Sequence, residues 1–196
     1  MLKTRCFHAD HSIEKIKTRL NGKNHFMAVQ KEIDDHFGFF SVVSVGTTAY
    51  IGGFLVLNSM GRPLEFHCTE AVKPTRAQEI LYGNTLQPYV FCDQIGKALT
   101  NASKIKPSII FVDSPQSLEI RDQIETLVFM IRNRNEQSVS DDNILSLGNL
   151  ELLPWNQSPT DIDAISDKQR ETIGNWDLLE PFQRIQNAIQ ETAKAA

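Results

Sequence analysis

The sequence contains few of the features that mark specialised classes of protein. Its longest apolar run, Tyr50 to Leu57, is much too short to span a bilayer, and Met1 to Asp10 lacks the apolar core of a signal peptide. Only three cysteines occur among the 196 residues and none stands in a CxxC pair, so neither a disulfide framework nor a cysteine-based zinc site is indicated. We therefore expect a cytoplasmic protein that has no membrane partner.

Positive charge and the common catalytic motifs are also scarce. The chain has 24 acidic and 20 basic residues, a net charge of -4, and no run of Lys or Arg that forms the basic face of a nucleic-acid binder. The GxxxxGK[ST], GxGxxG, HExxH and GxSxG patterns are absent. The absence of these motifs disfavours the common nucleotide hydrolases, dinucleotide enzymes, helical zinc proteases and elbow hydrolases. The charge gives no support for a nucleic-acid partner.

What is present is the composition of an ordinary globular domain. Hydrophobic residues make up 41% of the chain and charged residues 22%. Apolar residues at helical spacing predict a helix over His11 to Leu20 and a second one that begins after Asn24, whose apolar stripe ends at Phe37. Both helices precede the rest of an α/β core that we place at 1–133.

Three strands are predicted next, because β-branched and aromatic residues take over from the helical pattern. They cover Phe39 to Val45, Ala49 to Leu57 and Pro63 to Thr69. Tight turns join them, so they should form an antiparallel meander. The middle strand is almost wholly apolar, and the Gly52-Gly53 pair inside it predicts a bulge or a close backbone approach.

Helices and strands alternate after the meander. A capping box at Thr75 to Gln78 starts a short helix that ends at Gly83, and a longer helix covers Leu86 to Ala102. The rest of this region reads as a strand at Ser108 to Asp113, a helix at Pro115 to Gln123 and a strand at Thr126 to Ile131. A helix between two apolar strands predicts a right-handed βαβ unit with parallel strands.

The remaining chain divides into a polar stretch and a final helix. Residues 134–176 are rich in Asn, Asp, Ser, Gln and Pro, which predicts a long loop, with an apolar island at Leu145 to Trp155 that can dock on the body. Residues 177–196 predict a C-terminal helix that packs on the core through Phe182, Ile185 and Ile189.

Several candidate functional residues lie on the third strand and just after it. Alternation places Leu64, Phe66 and Cys68 toward the core and Glu65, His67 and Thr69 on a polar face. On that face His67 is a candidate catalytic residue and Glu65 a candidate binding residue, although the pattern favours an exposed histidine without a function. Lys73 and Arg76 flank a helix start and are candidates for binding a partner or an anion, or are ordinary solvated charges.

The element order resembles that of the ribonuclease H-like superfamily over Phe39 to Ile131. The resemblance rests on a glycine-containing second strand, a glycine turn, a glutamate in the first long helix and an aspartate followed by serine after the fourth strand. Here these are Tyr50 to Phe54, Met60-Gly61-Arg62, Glu79 and Asp113-Ser114. The resemblance implies a metal site in which Glu79 and Asp113 are ligands and catalytic groups for Mg²⁺ or Mn²⁺.

One ligand of that family is missing from the sequence. The family's first carboxylate belongs to the first strand, but Ser44 to Thr48 contains no acidic residue. Asp141 or Asp142 are candidates for a late ligand. In the alternative interpretation Glu79 completes a surface helix and Asp113 caps the helix that follows it.

Three functions follow from these patterns. The first is a non-catalytic protein-interaction or scaffold module, without a cofactor, whose surface around Glu65, His67, Lys73 and Arg76, or whose long loop, meets a protein partner. The second is a metal-dependent nuclease or phosphoryl-transfer enzyme that uses Glu79 and Asp113. The third is an anion or nucleotide sensor at the helix start near Lys73.

Overall fold

The computed structural model describes residues 4–8, 35–134 and 143–194. The predicted helix over His11 to Leu20 and most of the one after Asn24 lie outside these ranges. Phe37, which was assigned to the stripe of the second helix, lies in a strand instead. It is followed by further aromatic residues of the same strand, and this local β preference extends the strand toward the N-terminus. No helix of the described ranges has the length and apolarity needed to cross a membrane.

Eight strands are described, and they form one sheet. They are β1 (Thr4–His8), β2 (His36–Val45), β3 (Ala49–Asn58), β4 (Pro63–Thr69), β5 (Ile109–Val112), β6 (Leu127–Asn133), β7 (Leu145–Leu147) and β8 (Leu150–Pro154). Their order across the sheet is β1-β4-β3-β2-β5-β6-β8-β7. The segment that ends at Asp113 and the glycine-containing strand therefore share this sheet, with β2 between them.

The pairing confirms the predicted topology. Strands β2, β3 and β4 form an antiparallel meander, and β5 pairs with β2 and with β6 in the parallel sense. Between β5 and β6 the chain forms α4 (Pro115–Leu118) and a 3₁₀ turn, Glu119–Gln123, where one helix was predicted. The result is a mixed α/β fold in which the antiparallel meander continues into a pair of parallel strands, as the element order predicted.

One face of the sheet is covered by a helical run at 76–102. It comprises α1 (Arg76–Tyr82), a 3₁₀ turn at Gly83–Thr85, α2 (Leu86–Pro88), a π-helix at Tyr89–Gly96 and α3 (Lys97–Ala102). The capping box predicted at Thr75 is present, since its side chain accepts a hydrogen bond from the backbone N–H of Gln78. Ile95 and Leu99 are fully buried against β3, so this layer closes one half of the core.

The other face is covered by α7 (Glu180–Lys194). Its stripe of Phe182, Ile185 and Ile189 is buried, as the helical spacing predicted, and the Phe182 ring packs edge-on against Phe39 of β2 at 5.5 Å. The sheet is thus buried on both faces, which explains the almost continuous apolar sequence of β3.

The glycine pair of β3 lies where both helical layers touch the sheet. A Cβ atom on Gly52 would lie 2.0 Å from Cγ2 of Ile95, and one on Gly53 would lie 2.4 Å from Cγ2 of Ile185. The predicted close backbone approach is therefore confirmed, and it occurs on both faces of the same strand.

The prediction of a long loop at 134–176 is wrong over the part of it that the structure describes from residue 143 onward. This stretch forms β7 and β8, α5 (Pro159–Asp163) and α6 (Asp167–Gly174). Its apolar residues are few and scattered, but Leu152, Ile162 and Ile173 are all buried in the core on the α7 face. The apolar island docks on the body, as expected, by adding β8 to the sheet beside β6.

Candidate functional site

The carboxyl end of β5 carries Asp113, the residue that the family resemblance singled out. The parallel register pairs Phe40 with Val112, which brings Ser41 of β2 next to Asp113. Ser41 is buried, and its hydroxyl donates a hydrogen bond of 2.5 Å to Oδ2 of Asp113. Ser41 follows Phe39 by two residues in the strand, so both side chains point to the same face of the sheet. The Ser41–Asp113 pair therefore lies on the face that α7 covers.

The surroundings of the Asp113 carboxyl group shift its pKa upward. The residue as a whole reaches solvent, but protein atoms surround enough of the carboxyl group for burial to raise its pKa. The hydrogen bond from Ser41 lowers the pKa of Asp113 and offsets only part of this effect.

No acidic residue of β2 is available to join Asp113. All ten residues of the strand, His36–Val45, lack a carboxylate, and the position that contacts Asp113 is the hydroxyl of Ser41. In the part of the chain that is described, no group of three or more His, Cys, Asp and Glu side chains is placed to hold a metal ion. Asp141 and Asp142, the candidates for a late ligand, lie outside that part.

Glu79 has a different partner on a different element. It lies on α1, which has no buried residue, and its carboxylate pairs with Arg76 at 2.8 Å. Arg76 is highly exposed, so this i,i+3 pair is a surface ion pair worth at most about 1 kcal/mol. The structure therefore brings Arg76 and Glu79 together, while Asp113 is held by Ser41.

The expectation that the polar face of β4 is exposed is wrong. Glu65, His67 and Thr69 are all buried, with 4%, 1% and 4% of their surface exposed. This face lies under the helical run that ends in α3, so alternation separated the two faces correctly but did not make the second one a solvent face. Cys68 points to the other side and is buried in the core, as predicted.

Glu65 instead joins α3 and the turn after it to the sheet. Its Oε2 accepts hydrogen bonds from the hydroxyl of Ser103 at 2.8 Å and from the backbone N–H groups of Lys104 and Ile105 at 3.0 and 3.4 Å. Nε2 of His67 lies 3.2 Å from the same oxygen. Burial alone would raise the pKa of Glu65, but these hydrogen bonds outweigh it and lower the pKa. Glu65 and His67 therefore form a hydrogen-bonded pair in the interior of the protein.

Lys73 and Arg76 remain exposed beside the start of α1. The side chain of Thr75 already occupies the N–H of Gln78, and Glu79 already pairs with Arg76. The N–H of Gln78 and the guanidinium group of Arg76 therefore already have partners within the chain. The exposed surface continues along α1 to Ile80 and Leu81, which are 67% and 81% exposed.

Sequence reasoning missed Ser41 and Ser103, the two hydroxyl groups that contact the candidate acids. Ser41 was recognisable only as the sole polar residue among the buried positions of β2, and its role depends on the register with β5. Ser103 carried no signal, because it lies 38 residues from Glu65 in the chain.

Comparisons with known proteins give no family for this chain. No family model matches it, and no curated protein matches it. Among solved structures, endonuclease V of Ciona intestinalis, in complex with a 24mer DNA containing an inosine followed by a ribo-adenosine, is similar at 14% identity and a TM-score of 0.39, over 56% of this chain and 52% of that chain. Human ENDOV is similar at 11% identity and a TM-score of 0.34, over 53% and 48%. The chain thus spans about half the length of these nucleases, and so distant a likeness says nothing about its activity.

Proposed function

We propose that this chain is a non-catalytic protein-interaction module built on a ribonuclease H-like core. The observation that carries the proposal is the contact between Ser41 and Asp113. A two-metal site would need carboxylates on adjacent strands to bridge the metal ions. Here the position next to Asp113 is the buried Ser41, whose hydroxyl donates a hydrogen bond to the Asp113 carboxylate. The remaining acid of the predicted site, Glu79, is paired on the surface with Arg76.

A turnover assay tests the absence of catalysis. The full chain is incubated with single- and double-stranded DNA and RNA in Mg²⁺ or Mn²⁺, beside the Asp113→Asn variant purified in the same way. We expect both proteins to give the same background, because no described carboxylate joins Asp113 in a metal site. Metal-dependent cleavage by the original chain that Asp113→Asn abolishes would establish the nuclease alternative.

Asp113→Asn is a suitable variant for this assay because it should fold normally. Burial raises the pKa of Asp113 in the folded state, so the ionised carboxylate opposes folding and its cost grows as the pH rises through the ordinary range of an aspartate. A neutral amide removes that cost and still accepts the hydrogen bond from Ser41. We expect its free energy of unfolding at pH 7 to equal or exceed that of the original chain.

The partner-binding surface that best fits the exposed residues is α1. Its Ile80 and Leu81 are large apolar side chains on a helix with no buried residue, and Lys73 and Arg76 add positive charge at the helix start. Exposed apolar side chains that are rimmed by polar ones are typical of protein–protein contacts. Glu65 and His67, in contrast, are buried and would not touch a partner.

We expect the double substitution Ile80→Ser, Leu81→Ser to remove the proteins that the original chain captures from its native cell extract. Removing two exposed apolar side chains should leave the core unchanged, since neither is buried. Met60→Ser is the matched control, because Met60 is also 67% exposed but lies in the turn between β3 and β4. Quantitative mass spectrometry of the three captures decides the matter, and an identical set of proteins from all three would rule out α1 as the contact surface.

A further inference from the structure

A cleft of about 390 Å³ lies at the opposite end of the parallel strands from Asp113. Its walls come from the end of α3 and from the two connections, 105–107 and 124–126, that lead into β5 and β6. Because β5 and β6 are parallel neighbours, these two connections lie side by side. The volume is within the range of sites for small molecules.

The floor of this cleft is apolar. Ile105 and Ile124 line it and are only partly buried, while Phe54 and Ile110 lie beneath them and are almost completely buried. An apolar group placed on this floor would cover surface that the fold leaves open to water, which is favourable by about 25 cal/mol per Å².

The rim of the cleft carries one charge of each sign. The ammonium group of Lys106 donates a hydrogen bond of 3.0 Å to the carbonyl of Thr100 in the last turn of α3, which fixes its position and leaves two N–H groups for a ligand. Glu125 is exposed, and no residue of the described ranges forms a hydrogen bond or an ion pair with it. Lys106 and Glu125 therefore do not form an ion pair with each other.

We propose that this cleft binds a small zwitterion with an apolar substituent, the chemistry of a free hydrophobic amino acid. The ligand carboxylate meets the ammonium group of Lys106, the ligand ammonium meets Glu125, and the apolar substituent lies on Ile105 and Ile124. Two charge-assisted hydrogen bonds of opposite polarity select a ligand that carries both charges. This site is independent of the interaction surface on α1 and of Asp113.

Titration calorimetry with L-phenylalanine and L-leucine as probes tests the site on the full chain. We expect saturable binding of at least one of them, with 1:1 stoichiometry. Two analogues separate the charges: 3-phenylpropanoate lacks the ammonium group, and 2-phenylethylamine lacks the carboxylate. Each should bind about three- to fivefold more weakly than L-phenylalanine, since an ion pair with an exposed charged group contributes no more than this.

Paired variants assign each charge to its residue. Lys106→Met should weaken L-phenylalanine about three- to fivefold but leave 2-phenylethylamine unaffected, and Glu125→Gln should weaken L-phenylalanine equally but leave 3-phenylpropanoate unaffected. Lys97→Met and Glu70→Gln, which change exposed charges outside the cleft, are the matched controls and should bind like the original chain.

Several results would overturn this proposal. These are the absence of binding by both amino acids up to millimolar concentration, analogues that bind as tightly as L-phenylalanine, or variants at Lys106 and Glu125 that behave like the controls. Because Lys106 also contacts the end of α3, Lys106→Arg is the second variant at this position. It keeps a cation there and should retain binding if Lys106→Met fails to fold.

Discussion

Replacing Gly52 with alanine is expected to lower the free energy of unfolding by about 3 kcal/mol, at the upper end of what overpacking costs. The new methyl group would lie 2.0 Å from Cγ2 of Ile95 and 3.1 Å from Cδ1 of Leu99. Cγ2 of Ile95 is bonded directly to Cβ, so it moves away only by a change of χ1, which is strongly restricted for a β-branched residue in a helix, or by a movement of the helix itself. Denaturant unfolding, followed by circular dichroism, measures the loss.

A matched glycine and a second-site change make the interpretation of Gly52→Ala specific. Gly174, the last residue of α6, has open space where a Cβ would lie, so Gly174→Ala should leave stability unchanged or raise it by up to about 1 kcal/mol. Ile95→Ala removes the methyl group that clashes. The double variant should therefore lose at least about 1 kcal/mol less stability than the sum of the losses measured for the two single variants. Fully additive losses would show that the contact with Ile95 is not the cause.

Removing the carboxylate of Glu65 is expected to cost about 3–5 kcal/mol in Glu65→Ala, because several donors would each lose a charged acceptor at about 1–3 kcal/mol. The hydroxyl of Ser103 and the backbone N–H groups of Lys104 and Ile105 would lose their acceptor in the interior. Glu65→Gln keeps the shape and one acceptor oxygen, so it should cost about 1.5–3 kcal/mol. Exposed Glu70, substituted to Gln, is the control and should change stability by no more than about 0.5 kcal/mol.

The effect of Glu65→Gln should depend on pH with a definite sign. The folded state lowers the pKa of Glu65 below its ordinary value of 4.5. The stabilisation by the ionised carboxylate is therefore complete above that value and is lost as the pH falls through the lower pKa of the folded state. The stability difference between Glu65→Gln and the original chain should be constant from pH 7 to about pH 5 and shrink below it. If this stability difference stays constant into the acid range, the hydrogen bonds do not stabilise Glu65 through its charge.

The sequence predicts the central part of this fold well, because apolar alternation and turn residues act locally. The bounds of β4 agree with the prediction at both ends, and the capping box at Thr75 was identified from four residues. The end of the chain was harder to predict. Short helices such as α6 bury only one or two side chains each. So few buried residues do not produce a recognisable apolar pattern in a polar stretch of sequence.

The candidate site was predicted less well, because its geometry depends on contacts between distant segments. The missing acid of the family was sought at Ser44 to Thr48, but the register of β2 against β5 places the relevant position at Ser41. Alternation also separated Glu65 and His67 from the core-facing residues of β4, yet it could not show that α3 covers them. Register and layer coverage are both properties of the assembled sheet.

The position of α7 has a consequence for the order in which the chain folds during synthesis. The ribosome produces β2 and β3 long before Ile185 and Ile189, the side chains that seal the surface above Gly53. Until these residues emerge, the nascent chain presents Phe39 and Leu55 to water on an unfinished sheet. Such an intermediate is prone to associate with other nascent chains or to bind a chaperone. Its apolar surface is covered only once α7 has been synthesised and packs on the sheet.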